Sequence, residues 1–256
     1  MLDFETLLHQ VKNQTKVIEV SADDQFDFVD RDYAYIIESG SVLVVGERNS
    51  ETGVSPTHTL EVNDPIGFAE AIAARPPKLK FKQVTDLTLR QFKSADIRKF
   101  VDRANVFSKT IIKYSIGRIF GQTRTSSNLA FEEGFIDKNY DLLKTRRVAR
   151  DEEVFKIGSV AKDMFFINKG SVQVVSKEMK VIAELGVGEC FGESALFDFR
   201  PRTYGVVASQ NSDLLVIDSE QVEIEVSKEP AIVRLAVLLL VKRLEVMNNL
   251  RLLQQN

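Results

Sequence analysis

The residues best equipped for chemistry are Phe191-Gly192-Glu193-Ser194-Ala195-Leu196, closely followed by Pro201-Arg202-Thr203. A glycine lets backbone approach an anion, the residues after it can open a short helix with outward N–H groups, and an arginine supplies a permanent charge. Together they describe an anion pocket. A carboxylate such as Glu193 repels an anion unless it faces a hydrogen-donating part of the same ligand, such as a ribose hydroxyl. The expected ligand is therefore a sugar phosphate. The competing reading of the same residues is a surface ion pair between Glu193 and Arg202, an arrangement worth little energy.

Other chemistry is poorly provided for. Only His9 and His58 are present, which sets aside a metal enzyme needing several histidines, and no metal is expected. The Gly-Ser pairs at 40–41, 158–159 and 170–171 lack the strand-turn-helix setting of a nucleophile elbow and read as turns. No phosphate-loop lysine motif, dinucleotide fingerprint or titratable cluster is visible, so neither an enzyme nor a cofactor is expected. The single cysteine, Cys190, rules out an internal disulfide and fits a reducing compartment; beside a loop it reads as an apolar filler. Lys plus Arg total 34 against 37 for Asp plus Glu, a formal charge of −3, so no global positive field gathers nucleic acid or an acidic membrane.

The elements that must position the pocket come in two copies. Tyr35-Ile36-Ile37-Glu38-Ser39-Gly40-Ser41-Val42-Leu43-Val44-Val45 resembles Phe166-Ile167-Asn168-Lys169-Gly170-Ser171-Val172-Gln173-Val174-Val175, with Gly40 and Gly170 lying 130 positions apart. Downstream, Asp86-Leu87-Thr88-Leu89 matches Asp213-Leu214-Leu215-Val216 at a separation of 127. A period this long indicates domain duplication rather than a solenoid. Within each half, short β-branched and aromatic runs between Gly, Asn and Asp turns predict an antiparallel barrel or jelly roll. Helices close each half. Ala104 to Phe120 carries one apolar helical pattern, followed by a polar stretch from Gly121 to Asn128. The second begins at Pro230 and carries Ile232, Val233, Ala236, Leu239, Leu240, Arg243, Leu244, Met247 and Leu250 as its stripe. The N-terminus, Met1 to Val11, reads as an amphipathic helix without a signal peptide's apolar block, and Ala231 to Val241 is too short and too interrupted to cross a bilayer. A cytoplasmic chain with no membrane contact is expected.

The second half resembles cyclic nucleotide-binding domains, the module of cyclic-nucleotide-dependent kinases, catabolite-activator-type regulators and cyclic-nucleotide-gated channels. Two blocks carry the resemblance: Glu153 to Ser159 continuing through Asp163 to Val172, and residues 191 to 207. The resemblance implies a mainly β fold of two tandem jelly-roll-like barrels, each followed by a helical segment. The domains are then 1–125, a linker or helix at 126–145, and 146–256. The resemblance also implies that Glu193 accepts a hydrogen bond from the ribose 2′-hydroxyl, that Arg202 pairs with the cyclic phosphate, and that Gly192, Ser194, Ala195 and Leu196 form the turn whose N–H groups complete the cradle. Thr203 stands where a hydroxyl can meet a guanine amino group, which leaves cAMP and cGMP both open as ligands.

The first half is similar in frame but altered in its cassette. Phe68-Ala69-Glu70-Ala71-Ile72 carries Ala69 in place of glycine, and Pro76-Pro77-Lys78 offers a lysine, so that Glu70 and Lys78 stand in for Glu193 and Arg202 as a degenerate site. A lysine lacks the bidentate fork, which lowers phosphate affinity. The expected function is a non-catalytic cyclic nucleotide receptor that signals to an effector protein by moving its C-terminal helix, Pro230 to Leu253. The apolar stripe of that helix has two uses: binding a second copy or an effector, and packing on the barrel's own flank. A different class of function is an interaction scaffold in which one or both barrels have lost nucleotide.

Overall fold

Val42 to Val45 shows in miniature why this chain folds as strands: Val42 and Val44 are buried while Leu43 and Val45 are only half-buried, the two-residue alternation of a sheet with one face on a core. Repeated through the chain, that pattern builds two barrels, described in a computed structural model over residues 3–24, 26–28, 30–50, 52–121, 132–193 and 200–254. The earlier barrel consists of β1 (Lys16–Val20), β2 (Tyr33–Ser39), β3 (Val42–Val45), β4 (Thr57–Leu60), β5 (Pro65–Ile66), β6 (Lys80–Gln83) and β7 (Leu87–Lys93). They pair in two antiparallel sheets, ordered β1-β7-β2-β5 and β4-β3-β6. The later barrel consists of β8 (Lys144–Val148), β9 (Glu153–Phe155), β10 (Asp163–Lys169), β11 (Ser171–Val175), β12 (Val181–Gly186), β13 (Cys190–Phe191), β14 (Gly205–Ala208) and β15 (Ser212–Asp218). Its sheets are ordered β13-β10-β15-β8 and β12-β11-β14-β9. In both barrels the inward faces of the two sheets share one apolar core, as in a jelly roll. The mainly β fold with two tandem barrels and flanking helices is therefore as expected.

The helices are distributed differently from the expectation. One compact unit comprises residues 4–104 and 230–256, the other residues 1–3 and 105–229. The C-terminal helix Ala231–Gln254 thus belongs with the earlier barrel, where Val246 and Leu250 join the core of Tyr35, Ile37, Leu79 and Leu89. The expectation that this helix closes the later barrel is corrected. Pro230 precedes the helix, and apolar residues surround its whole circumference from Ile232 to Leu244, the composition of an enclosed helix rather than an amphipathic one. The stripe packs internally, but on the earlier barrel rather than on the flank of the barrel it follows in sequence. The later barrel is accompanied instead by helix Val106–Ile119, whose N-cap Asn105 accepts a hydrogen bond from Ser108 N at 2.8 Å, and by helix Ser219–Ser227, capped likewise by Asp218. The linker expected at 126–145 falls partly outside the described residues; from Glu132 it forms a π-helical segment to Ile136 and a short turn to Asn139.

Strand pairing also fixes how the two halves correspond. Gly40 and Gly170 both have positive φ, 130 positions apart, and Tyr35 pairs with Ile66 as Phe165 pairs with Phe191. From there the separation is 125: Val45 faces Lys80 as Val175 faces Gly205, and Ile37 faces Leu89 as Ile167 faces Leu214. The downstream match read from the sequence at 127 is two residues out. A two-residue slip returns every strand side chain to the same face, so alternation alone cannot detect it.

Candidate functional site

In the later barrel β13 runs along β10 and ends at Gly192, whose φ of +88° belongs to a region L side chains rarely adopt. A Cβ on Gly192 would lie 3.2 Å from Arg202 Nη1 and 3.2 Å from the Asp163 carbonyl oxygen, so a side chain here is disfavoured both by φ and by crowding. The close approach has a purpose. Arg202, only 5% exposed, donates from Nη1 to the Gly192 carbonyl and from Nη2 to the Asp163 carbonyl. Its own backbone is pinned by the turn at residues 158–159: Gly158 N donates to Arg202 O at 2.8 Å, and Arg202 N to Ser159 O at 2.9 Å. The guanidinium carbon sits 4.2 Å from the centroid of the Phe155 ring, which is stacked in turn on Phe165, itself stacked on Phe191.

The electrostatics follow from this burial. Desolvation lowers the Arg202 pKa, and the carboxylates of Glu193 and Asp163 act against that shift. Burial raises the Asp163 pKa, with Arg202 opposing. Among the described residues Arg202 Nε is buried without a hydrogen-bond partner, so this guanidinium keeps a donor that an oxyanion can satisfy. Cys190, fully buried behind the turn, has its thiol pushed well above the ordinary range by desolvation and then by Glu193, which suits the filler role and not a reactive one.

Glu193 is 3% exposed and forms an ion pair with Arg118 of helix Val106–Ile119, Arg118 Nη2 donating to Glu193 Oε1. One turn earlier on that helix, the Tyr114 hydroxyl donates to the Gly188 carbonyl, just ahead of β13. The surface pairing of Glu193 with Arg202 is thus not what forms: both side chains are buried, Arg202 bonds carbonyls, and Glu193 bonds Arg118. Sequence reasoning missed Arg118 and Tyr114. Their one visible signal is the i, i+4 spacing that puts both on one helix face. Among the other residues foreseen, Thr203 is exposed, while Ser194, Ala195 and Leu196 lie outside the described residues.

The earlier barrel shows what the degenerate site became. Its counterpart of Gly192 is Gly67, with φ +79°, rather than Ala69, and the residue after it is Phe68 where the later barrel has Glu193. Counting back from Lys80, the counterpart of Gly205, puts Pro77 where the later barrel has Arg202. Glu70 and Lys78 therefore do not take the places of Glu193 and Arg202. Phe68 is packed edge-on against Phe92 at 5.2 Å, Lys78 is exposed, and buried Glu70 faces Arg243 of the C-terminal helix at 3.7 Å. Arg243 is 2% exposed, lies 5.5 Å from the Phe81 centroid, and has no hydrogen-bond partner among the described residues at Nε, Nη1 or Nη2; burial lowers its pKa against the pull of Glu70.

Comparison with known proteins adds the following. Residues 145–228 match the cyclic nucleotide-binding domain family. A potassium channel protein of Rhodopseudomonas palustris is 34% identical over 97 residues, 36% of this chain and 23% of that protein. A cyclic nucleotide-gated potassium channel of Mesorhizobium japonicum is 34% identical over 90 residues, 35% of this chain and 24% of that protein. The chain therefore spans about a quarter of the length of these curated relatives. Among solved structures, cAMP-bound PfPKA-R (141–441) is 17% identical, with 88% of this chain and 77% of that chain covered and a TM-score of 0.39. Among the described residues, no helix is long and apolar enough to cross a membrane.

Proposed function

We propose, from the match of residues 145–228 to the cyclic nucleotide-binding domain family, that this chain is a non-catalytic receptor binding cAMP or cGMP in its later barrel. The observation that carries the reading is the burial of two oppositely charged side chains at the Gly192 turn: Glu193, which follows the glycine directly, and Arg202, which bonds the glycine's carbonyl. A guanidinium taken out of water without an anion carries a desolvation cost that a bound phosphate offsets. Arg202 then holds the cyclic phosphate and Glu193 accepts from the ribose 2′-hydroxyl, with backbone N–H groups of Gly192, Ser194, Ala195 and Leu196, the last three outside the described residues, completing the cradle. Thr203, exposed and next to Arg202 in the chain, would then offer its hydroxyl to a guanine amino group.

The conformational output passes to an effector protein. Its natural carrier is helix Val106–Ile119, because Arg118 touches the ligand-binding carboxylate, whereas Ala231–Gln254 is packed in the other unit. The earlier barrel acts as a scaffold: Phe68 and Pro77 replace the two charges that a sugar phosphate requires. A reducing, cytoplasmic setting accords with the single buried cysteine. Calorimetry of the full chain with cAMP and with cGMP tests the proposal. Binding is expected for the intact protein, and Arg202→Ala is expected to weaken it at least about tenfold, the equivalent of one charge-assisted hydrogen bond of ~1.5–3 kcal/mol. No heat of binding to the intact protein at micromolar ligand defeats it.

A further inference from the structure

Arg118 comes from the helix that follows the earlier barrel in sequence, yet it meets the carboxylate of the later barrel's cassette. We propose that Arg118 is a positioning residue for the ribose contact, holding the Glu193 carboxylate so that its second oxygen faces the ligand's 2′-hydroxyl. The assignment rests on the receptor reading above and adds a residue to its recognition chemistry.

Three observations support it. Arg118 engages Oε1 of Glu193, and a carboxylate has about four lone-pair directions on two oxygens, so one donor leaves Oε2 able to accept another. The pair is shielded, with side-chain exposures of 15% and 3%, which makes the link directional rather than a loose surface contact. The helix itself is tied down beside the cassette, because the Tyr114 hydroxyl donates to Gly188 O one turn away. Rotating Glu193 away from Arg118 leaves a buried carboxylate without its cation, so the orientation is maintained before any ligand arrives. Arg202, occupied with the carbonyls of Gly192 and Asp163, does not perform this task.

The test separates a grip on one hydroxyl from a general brace. Calorimetry is run on the full-length wild type, Arg118→Met and Arg118→Lys, each with cAMP, cGMP and their 2′-deoxy analogues. If Arg118 acts through Glu193, the wild type prefers the ribose forms, and Arg118→Met loses about tenfold in affinity for them while its affinity for the deoxy forms changes less than about twofold. Arg118→Lys keeps the charge and regains part of the loss; it also serves as the comparison if the Met variant does not fold. Equal weakening for ribose and deoxy ligands, or no weakening for either, overturns the assignment while leaving the receptor reading standing. Failure of the wild type to bind any of the four overturns both.

Discussion

At Gly192 a single backbone angle links the cassette's geometry to its charge. With φ at +88° and a would-be Cβ only 3.2 Å from Arg202 Nη1, the glycine is what allows the arginine to reach the Gly192 carbonyl. Gly192→Ala is expected to lose about 1–3 kcal/mol of stability from the strained φ. It should also weaken cyclic nucleotide binding, because Arg202 must give way. A urea melt and a ligand titration on the same variant check both; unchanged affinity would show that the arginine's position does not depend on this turn. Neighbouring Cys190 illustrates the opposite case, a residue with reactive chemistry in principle whose burial beside Glu193 keeps it a thiol.

Among the elements, the C-terminal helix departs furthest from its sequence reading. Helix Ala231–Gln254 contributes Val246 and Leu250 to the earlier barrel's core and brings Arg243 to 3.7 Å from Glu70, too long for a hydrogen bond. Removing one member of a buried ion pair strands the other, whereas replacing both with apolar groups is frequently neutral or favourable. Arg243→Met alone is therefore expected to destabilise the protein by about 3–5 kcal/mol, and Glu70→Leu with Arg243→Met to restore stability to the wild-type level or above. Chemical denaturation of the two single variants and the double variant provides the comparison. A fully additive cycle would mean that the two charges do not interact. The same helix position in the other repeat is Arg118, 125 residues earlier, so the duplication kept an arginine on each helix and gave the two copies different acids: Glu193 and Glu70.

Across the whole molecule, the two repeats share a frame and differ in the residues at the glycine turn. Both barrels keep the positive-φ glycine at the cassette's start, but only the later one has a carboxylate directly after it and a buried arginine three residues before the next strand. The full chain is expected to bind one cyclic nucleotide, not two, and a calorimetric stoichiometry near two per chain would contradict the assignment of Phe68 and Pro77. Each unit draws on two separate stretches of the chain, crossing at 104–105 and at 229–230. Cutting the chain where its sequence repeat divides would therefore strip Val246 and Leu250 from the earlier barrel's core.

The sequence by itself determined the local features: the strands, the repeat, the glycine turn, and the presence of Glu193 and Arg202 beside it. Each of these is written in short-range pattern, either a period of two along a strand or a turn residue at a fixed offset. Tertiary structure alone decided three others. It chose which barrel the C-terminal helix joins, since an apolar helix buries equally well on any complementary surface. It set the correspondence of the two cassettes, where a slip of two residues had made Glu70 look like Glu193. And it brought Arg118 to Glu193 across 75 positions of chain, a contact that depends on how helix and barrel meet rather than on anything adjacent in the sequence.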